Sequence, residues 1–220
     1  MTGIPIELLL RAYRQGYFPM ARTADDPEVD WVRPDVRGVI PLEGFHLSAR
    51  LARTARGTDL KVRIDTAFAE VISLCAEATP DRDETWINTG IREAFERLHQ
   101  LGVAHSVEVW DGTRLVGGLY GLKIGGAFFG ESMFSRATDA SKIALVHLVG
   151  RLKRAGFGLL DAQFVNPHLE QFGTRPVPHD DYMRQLDLVV AIKPDMAAFL
   201  AEMSGPEAVA YARQPTTQAS

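Results

Sequence analysis

The chain has 220 residues, 46% hydrophobic and 24% charged, which is enough to bury a sizeable core and excludes disorder as the default. Its net charge of −4 argues against indiscriminate binding to nucleic acid. It has no basic N-terminal region followed by an apolar stretch, and no run near the roughly 18 apolar residues of a membrane span. We therefore expect a cytoplasmic protein. The single cysteine, Cys75, excludes an internal disulfide and is expected to be a buried apolar residue.

The first part of the chain predicts a small N-terminal domain over residues 1–63. Helical spacing in IELLLRAYRQG stops at Gly16, and RGVIPL predicts a short strand. HLSARLARTARG predicts a helix that ends at Gly57, and LKVRI predicts another strand. Two further helices are expected next, TAFAEVISLCAEA with Asp65 as N-cap and GIREAFERLHQL with Thr89 as N-cap.

From His105 onward the hydrophobic period changes to two, which is typical of strands. The segments HSVEVW, TRLVGGLYGLKI and AFFGESMF, separated by DG and GG, predict an antiparallel meander. The segment DASKIALVHLVGRLKRAG then predicts a long amphipathic helix, with Asp139 as candidate cap and Gly156 as its stop. The apolar segment FGLLDAQF predicts the next strand.

The C-terminal part predicts a short helix in NPHLEQFG capped by Asn166, a last strand in LDLVVAI and a last helix in PDMAAFLAEM. We expect a catalytic domain over residues 64–204 and a poorly ordered tail over residues 205–220. The predicted class is α+β, and the order of elements resembles the acyltransferase fold of the GNAT superfamily. Its members usually hold coenzyme A on a Gly-rich turn before the long helix. Here that turn is SRATDAS, without a glycine, so coenzyme A is a poor candidate donor.

Polar residues within apolar strands are the candidates for chemistry. Asp161 and Gln163 lie two apart on a predicted strand, so their side chains face one side and can form a carboxylate–amide pair. A structural role for this pair is the alternative. Glu131 follows Gly130 inside AFFGESMF, where a buried carboxylate costs several kcal/mol unless it is hydrogen-bonded. It is therefore a candidate ligand contact, unless backbone N–H groups or Arg136 satisfy it.

Two basic clusters are candidates for contacts with a nucleic-acid phosphate backbone, with a solvated face as the alternative for each. The first contains Arg50, Arg53 and Arg56, and the second contains Arg151, Lys153 and Arg154. The six histidines show no metal-ligand spacing such as HExxH, so we expect no metal. The sequence also lacks a Walker loop, a GxSxG elbow and a dinucleotide fingerprint, and we expect no cofactor.

Several long motifs carry a family resemblance. The segment TWI at 85–87, LGVAHSVEVW, LVGGLYGLKIGGAFFGESMFSRATDASKIALVHLV and LLDAQ closely resemble the leucyl/phenylalanyl-tRNA–protein transferases, and the match runs from YRQGYFPM to about Tyr182. The resemblance implies a small N-terminal domain on a GNAT-like domain, in a cofactor-free and monomeric enzyme. It implies transfer of Leu or Phe from aminoacyl-tRNA to the N-terminal amine of proteins that begin with Arg or Lys, which then enter the bacterial N-degron pathway.

The same resemblance implies roles for individual residues. Asp161 orients Gln163, which contacts the attacking amine. An apolar pocket for the aminoacyl side chain is implied for Leu119, Phe128, Met133, Leu145, Leu148 and Leu160. Trp86 stacks on the terminal adenosine, and Trp31 is the second candidate because the family's usual WWSPDPR is here WVRPDVR. From spacing alone, the pocket residues would be core residues, and core packing is the alternative for each tryptophan.

Two other functions remain open from the sequence. One is another GNAT-type acyltransferase, dependent on coenzyme A or acting on a different acceptor such as a peptidoglycan precursor. The other is a noncatalytic protein that binds the tRNA 3′ end, which the pair Asp161 and Gln163 together with Glu131 argues against.

Overall fold

The computed structural model describes residues 3–78 and 85–215. Their helices are α1 (Ile6–Arg14), α2 (Ala49–Gly57), α3 (Phe68–Ala76), α4 (Thr89–Gln100), α5 (Ala140–Arg154), α6 (Pro167–Glu170), α7 (His179–Val189), α8 (Met196–Leu200) and α9 (Gly205–Arg213). Their strands are β1 (Phe18–Met20), β2 (Asp30–Val32), β3 (Val36–Ile40), β4 (Lys61–Ile64), β5 (Ala104–Asp111), β6 (Arg114–Ile124), β7 (Ala127–Ser135), β8 (Leu159–Gln163) and β9 (Arg175–Pro178). Among these residues no helix is both long and apolar enough to cross a bilayer.

A seven-stranded sheet in the order β4-β5-β6-β7-β8-β3-β9 organises the molecule. All neighbouring strands in it are antiparallel except β7 and β8, which run parallel. The predicted meander of β5, β6 and β7 is confirmed, and so is the α+β class. The short strands β1 and β2 form a separate antiparallel pair.

The parallel strands β7 and β8 separate early. They pair only from Ala127 opposite Leu159 to Phe129 opposite Asp161, although β7 continues to Ser135. Beyond this point β8 pairs only with β3, where Gly38 lies opposite Gln163. A Cβ at Gly38 would lie 2.4 Å from the carbonyl of Phe164, so only glycine allows this approach. The separation leaves an opening between the two strands.

Two apolar clusters cover the two faces of the sheet. Adjacent strand residues alternate between them, so Phe128 belongs to the cluster under α5 and Phe129 to the cluster under α3 and α4. Helix α5 was expected to be amphipathic, yet twelve of its fifteen residues are buried. The reason is that α2, α8 and α9 cover its outer side. Cys75 is buried in the second cluster.

The C-terminal segment differs from the expected poorly ordered tail. Residues Gly205–Arg213 form α9, which begins with a capping box between Ser204 and Glu207. It packs closely on α5, since a Cβ at Gly150 would lie 2.8 Å from the carbonyl oxygen of Ala208. Residues 216–220 of the expected tail lie outside the described residues, and so do residues 1–2 of the expected N-terminal domain.

The expected domain boundary at residue 63 falls inside the main sheet. Strand β3 and the first three residues of β4 precede residue 64, yet β3 pairs with β8 and β4 pairs with β5. The period-two pattern identified each strand but not its partner, because pairing depends on residues far away in the chain. The N-terminal part of the chain therefore contributes directly to the sheet.

The predicted last strand in LDLVVAI is wrong. These residues lie largely in α7, which buries Tyr182 and Leu186 four residues apart on one face. A short apolar run is compatible with either period, and here the contacts of α7 with β3, β8 and β9 favour the helix.

Three predicted helix caps also differ. Asn88 rather than Thr89 caps α4 by accepting from the N–H of Ile91. Asp65 accepts from the N–H of Ser106 instead of capping α3. Asp139 precedes α5 but makes no capping bond, because its carboxylate is paired with arginine and lysine side chains. The predicted cap of α6, Asn166, is confirmed.

Candidate active site

A cavity of about 660 Å³ opens where β7 and β8 separate. Strands β6, β7 and β8 with helices α5 and α6 supply most of its wall, and Met20, Ile40 and Trp86 also contribute to it. Leu119, Met133, Leu145, Leu148 and Leu160 form an apolar part of the lining. Glu131, Asp161 and Gln163 line the same cavity. An apolar chamber with a few convergent polar groups is typical of a small-molecule site.

Asp161 is fully buried and lies at the centre of a polar cluster. Arg37 donates to it through Nε, 3.0 Å from each carboxylate oxygen, and through Nη2 at 2.7 Å from Oδ2. The Tyr182 hydroxyl donates to Oδ2 at 2.6 Å, and the backbone N–H of Gln163 donates to Oδ1 at 2.7 Å. A buried ion pair is tolerated when such additional hydrogen bonds satisfy it.

Arg37 connects this cluster to the N-terminal part of the chain. Its Nη1 donates to the carbonyl of Gly16 at 2.9 Å. Its guanidinium lies 4.6 Å from the ring centroid of Phe18 and 4.7 Å from that of Tyr182. The residue is 1% exposed, so both its charge and its orientation are fixed by these neighbours.

Gln163 departs from strand geometry. Its φ of 63° lies in the left-handed region, and the ladder between β3 and β8 is irregular at this point. The expected strand alternation therefore does not hold between Asp161 and Gln163, although both line the cavity. Asp161 bonds the backbone N–H of Gln163 rather than its side chain, and Nε2 of Gln163 donates to Glu131 at 2.9 Å.

Glu131 accepts two side-chain hydrogen bonds. The Tyr13 hydroxyl donates to Oε1 at 2.8 Å, and Gln163 donates to Oε2. Burial raises the pKa of the Glu131 carboxyl from 4.5 to about 8, against the lowering effect of these two hydrogen bonds. Arg136, which we considered as its partner, pairs instead with Glu77.

Comparison with known proteins identifies the family. The profile described as leucyl/phenylalanyl-tRNA protein transferase matches residues 39–187, and its N-terminal domain profile matches residues 4–35. The chain belongs to the leucyl/phenylalanyl-tRNA protein transferase family.

Individual relatives agree with this assignment. The leucyl/phenylalanyl-tRNA–protein transferase of Phenylobacterium zucineum (strain HLK1) is 54% identical over 213 residues, which cover 96% of each chain. The protein of the same name from Rhodopseudomonas palustris (strain BisB18) is 53% identical over 95% of this chain and 92% of its own. That of Paramagnetospirillum magneticum is 55% identical over 84% of this chain and 89% of its own. The chain is therefore an aminoacyltransferase.

Most of the site residues expected from the transferase resemblance meet in the cavity. The three polar residues, five of the six pocket residues and Trp86 line it. Phe128 does not, because it packs in the core against Phe157 and Phe199. Trp31 is also absent from this lining, since β2 holds it beside a separate shallow depression near Leu8.

The second basic cluster of this transferase binds backbone carbonyls of the C-terminal segment. Arg151 is 2% exposed, and its Nη1 donates to the carbonyls of Phe199 and Ala201. Lys153 donates to the carbonyls of Ala212 and Gln214, and Arg154 to those of Ala201 and Glu202. These contacts hold the C-terminal helices on α5 and bury Arg151, which disfavours a phosphate contact for that residue. A tRNA contact of Lys153 and Arg154 stays a prediction.

The first basic cluster lies on α2. Arg50 forms an ion pair with Asp139 at 2.6 Å, although its side chain is largely exposed. Arg53 and Arg56 line a shallow surface depression together with Arg213 of α9. The arginine pair that remains compatible with phosphate contacts is thus Arg53 and Arg56, joined by Arg213.

Three residues of the transferase site were missed from the sequence. Arg37, Tyr13 and Tyr182 touch the two carboxylates from β3, α1 and α7. One signal was present, since a buried Asp161 in an apolar strand requires a cationic partner. Arg37 was one of three arginines inside predicted strands, with Arg63 and Arg114, so the sequence did not single it out.

Proposed function

We propose that this enzyme transfers Leu or Phe from aminoacyl-tRNA to the N-terminal α-amine of proteins that begin with Arg or Lys. The observation that carries the proposal is the cavity between β7 and β8, where an apolar chamber adjoins Glu131 and Gln163. Such a chamber accepts an apolar side chain while the polar groups meet the reacting amine. The names of the three relatives support the same donor amino acids and a protein acceptor. The N-terminal Arg or Lys of that acceptor follows from the family resemblance.

The apolar lining suits both Leu and Phe. A charged side chain would lose its hydration there without gaining a partner, so the chamber rejects it. Met133 is unbranched and polarizable, which lets it repack around side chains of different shape. The chamber therefore selects by polarity more than by shape.

The tRNA is proposed to bind through its 3′ end and its phosphates. Trp86, half-buried at the cavity wall, offers a ring on which the terminal adenine stacks. The backbone carbonyl of Trp86 accepts from the N–H of Ala21 at 3.1 Å, which helps fix the segment that carries the ring. Phosphates of the acceptor arm would contact Arg53, Arg56 and Arg213.

The reaction needs no external energy source because the aminoacyl ester is already activated. The enzyme brings the acceptor amine and the ester carbonyl together, which is the contribution expected from proximity and orientation. We therefore propose activity without ATP, metal or coenzyme A.

We further propose a GNAT-like relationship for the main sheet, a monomeric state and a cytoplasmic role in the N-degron pathway. Support for the first comes from the meander, the long helix α5 and the parallel strand β8 that separates from β7. The remaining features follow from the resemblance to the family.

A transfer assay tests the proposal. Purified protein is incubated with radiolabelled Phe-tRNA or Leu-tRNA and four peptides that differ only at the N-terminus: Arg, Lys, Ala and Nα-acetyl-Arg. We expect label on the Arg and Lys peptides alone. Equal labelling of the Ala peptide would contradict the acceptor specificity, and no labelling from either donor would contradict the transfer itself.

A further inference from the structure

The hydrogen bonds of Asp161 leave it no role as a proton acceptor. A carboxylate offers about four lone-pair positions. Two N–H groups of Arg37, the Tyr182 hydroxyl and the backbone N–H of Gln163 use them all. Asp161 is also 0% exposed, so an amine in the cavity meets no free oxygen of this residue. Its bond to the N–H of Gln163 instead fixes the left-handed backbone there.

Gln163 also has no proton-accepting role, because a carboxamide is a very weak base. Its Nε2 is committed to Glu131 at 2.9 Å. Its amide oxygen has no hydrogen-bond donor among the described residues and remains available to an N–H of the incoming amine. Gln163 therefore orients the amine beside Glu131.

Glu131 is the cavity carboxylate with free capacity. It accepts one bond from Tyr13 on Oε1 and one from Gln163 on Oε2, which leaves about two of its four lone-pair positions. It lines the cavity and is 8% exposed, so a bound amine can reach it.

We propose that Glu131 is the group that accepts the proton of the attacking amine, while Asp161 only positions Gln163. This inference rests on the proposed function. The neutral α-amine attacks the ester carbonyl, the C–N bond forms and the carbonyl pair moves to oxygen. Glu131 takes a proton from the nitrogen. When the C–O bond to the ribose 3′ oxygen breaks, Glu131 returns that proton to the departing oxygen, so the carboxylate is regenerated.

The surroundings of Glu131 support a proton-transfer role. The titratable or charged groups that act on it are Tyr13 of α1, Arg37 of β3 and Asp161 of β8, and Tyr120 of β6 and His168 of α6 line the same cavity. Burial raises the pKa of Glu131 to about 8. A general base is most effective when its pKa lies near the working pH.

The Tyr13 hydroxyl provides the test. Its hydrogen bond lowers the pKa of Glu131, so Y13F should raise that pKa without touching the ionisation of the acceptor amine. Single-turnover rates at saturating Phe-tRNA and Arg-peptide are measured for wild type, Y13F and Y211F. The pH range, from about 6 to about 10, brackets the Glu131 pKa of about 8. Y211F is the matched control, because Tyr211 of α9 lies against Arg154 of α5 and does not line the cavity.

We expect the ascending limb of the pH–rate profile to move to higher pH by about one unit in Y13F and to stay unchanged in Y211F. A folded Y13F with the wild-type profile would overturn the proposal. E131Q should lose turnover by about 10²–10⁴-fold with KM for Phe-tRNA little changed, and near-normal turnover would overturn it too. Inactive wild-type enzyme would instead refute the proposed function, so the two failures are distinguishable.

Discussion

At the scale of single residues, the sequence identified the groups that line the cavity but not the groups behind them. Asp161, Gln163 and Glu131 stand out as polar residues in apolar strands, and two of the family motifs contain them. Arg37 lies 124 residues from Asp161 in the chain, and Tyr13 lies 118 from Glu131. Local periodicity carries no information about such pairs, because only the completed sheet brings them together.

Arg37 is predicted to be essential for stability. In Arg37→Ala the buried Asp161 keeps its charge and loses its main partner, so we expect a loss of about 3–5 kcal/mol in the free energy of unfolding. Urea denaturation measures it. Arg22→Ala is the control, since Arg22 forms an exposed ion pair with Asp30 and its loss should change little. Similar effects from both variants would contradict the assignment of Arg37.

Glu131 is predicted to make stability depend on pH. The folded state holds the Glu131 proton up to a pH of about 8, whereas the unfolded state releases it near 4.5. The folded state therefore binds more protons, and this contribution to stability falls as pH rises from about 4.5 to about 8. As the pH rises from about 5 to about 9, the free energy of unfolding of E131Q should increase relative to that of wild type. The increase should be on the order of a few kcal/mol, since one pKa unit corresponds to about 1.4 kcal/mol. An equal difference between the two proteins at both pH values would refute this.

At the scale of elements, strands and helices with a strong period were predictable and their boundaries were less so. The meander of β5, β6 and β7 follows from alternation and from its DG and GG turns. The segment LDLVVAI became part of α7 because its apolar run is short enough to suit either period. Helix α9 was missed because its apolar residues, Ala208, Val209 and Ala212, are few and small. Its partner surface on α5 decides its structure.

Packing of α9 on α5 is predicted to stabilise the fold. Val209 is fully buried, so Val209→Ala should cost about 2 kcal/mol in unfolding free energy. Val36→Ala makes the same chemical change at a side chain that is 48% exposed and should cost much less. Thermal or urea unfolding compares the two. If Val209→Ala costs no more than Val36→Ala, α9 does not contribute to the core.

At the scale of the whole molecule, the N-terminal segment and the main sheet form one site. Tyr13 donates to Glu131, the carbonyl of Gly16 accepts from Arg37, which pairs with Asp161, and Met20 lines the cavity. The family's N-terminal profile ends at residue 35 and the main profile begins at residue 39, so the bond between Tyr13 and Glu131 joins the two. The sequence predicted an N-terminal unit but could not show that it supports the reacting groups.

Charge distribution gives a second whole-molecule prediction. The net charge is −4, but Arg53, Arg56 and Arg213 gather at one surface. Each phosphate contact releases counterions, so the double variant R53A/R56A should weaken tRNA binding and reduce the salt slope of log K by roughly 1–2. The control R92A/R97A removes the same charge from α4, which packs against the other core cluster. Equal salt slopes for the two variants would show that the arginines of α2 form a solvated face and make no phosphate contact.

The most direct measurement is a structure with a non-hydrolysable phenylalanyl-adenosine amide, in which the ester is replaced by an amide. We predict the Phe ring against Leu119, Met133 and Leu145, the adenine on Trp86, and the carbonyl carbon beside Gln163 and Glu131. The structure has another large cavity, of about 940 Å³, between β4 and the start of α9. Binding of the analogue there, or a Phe ring outside the cavity between β7 and β8, would contradict the account.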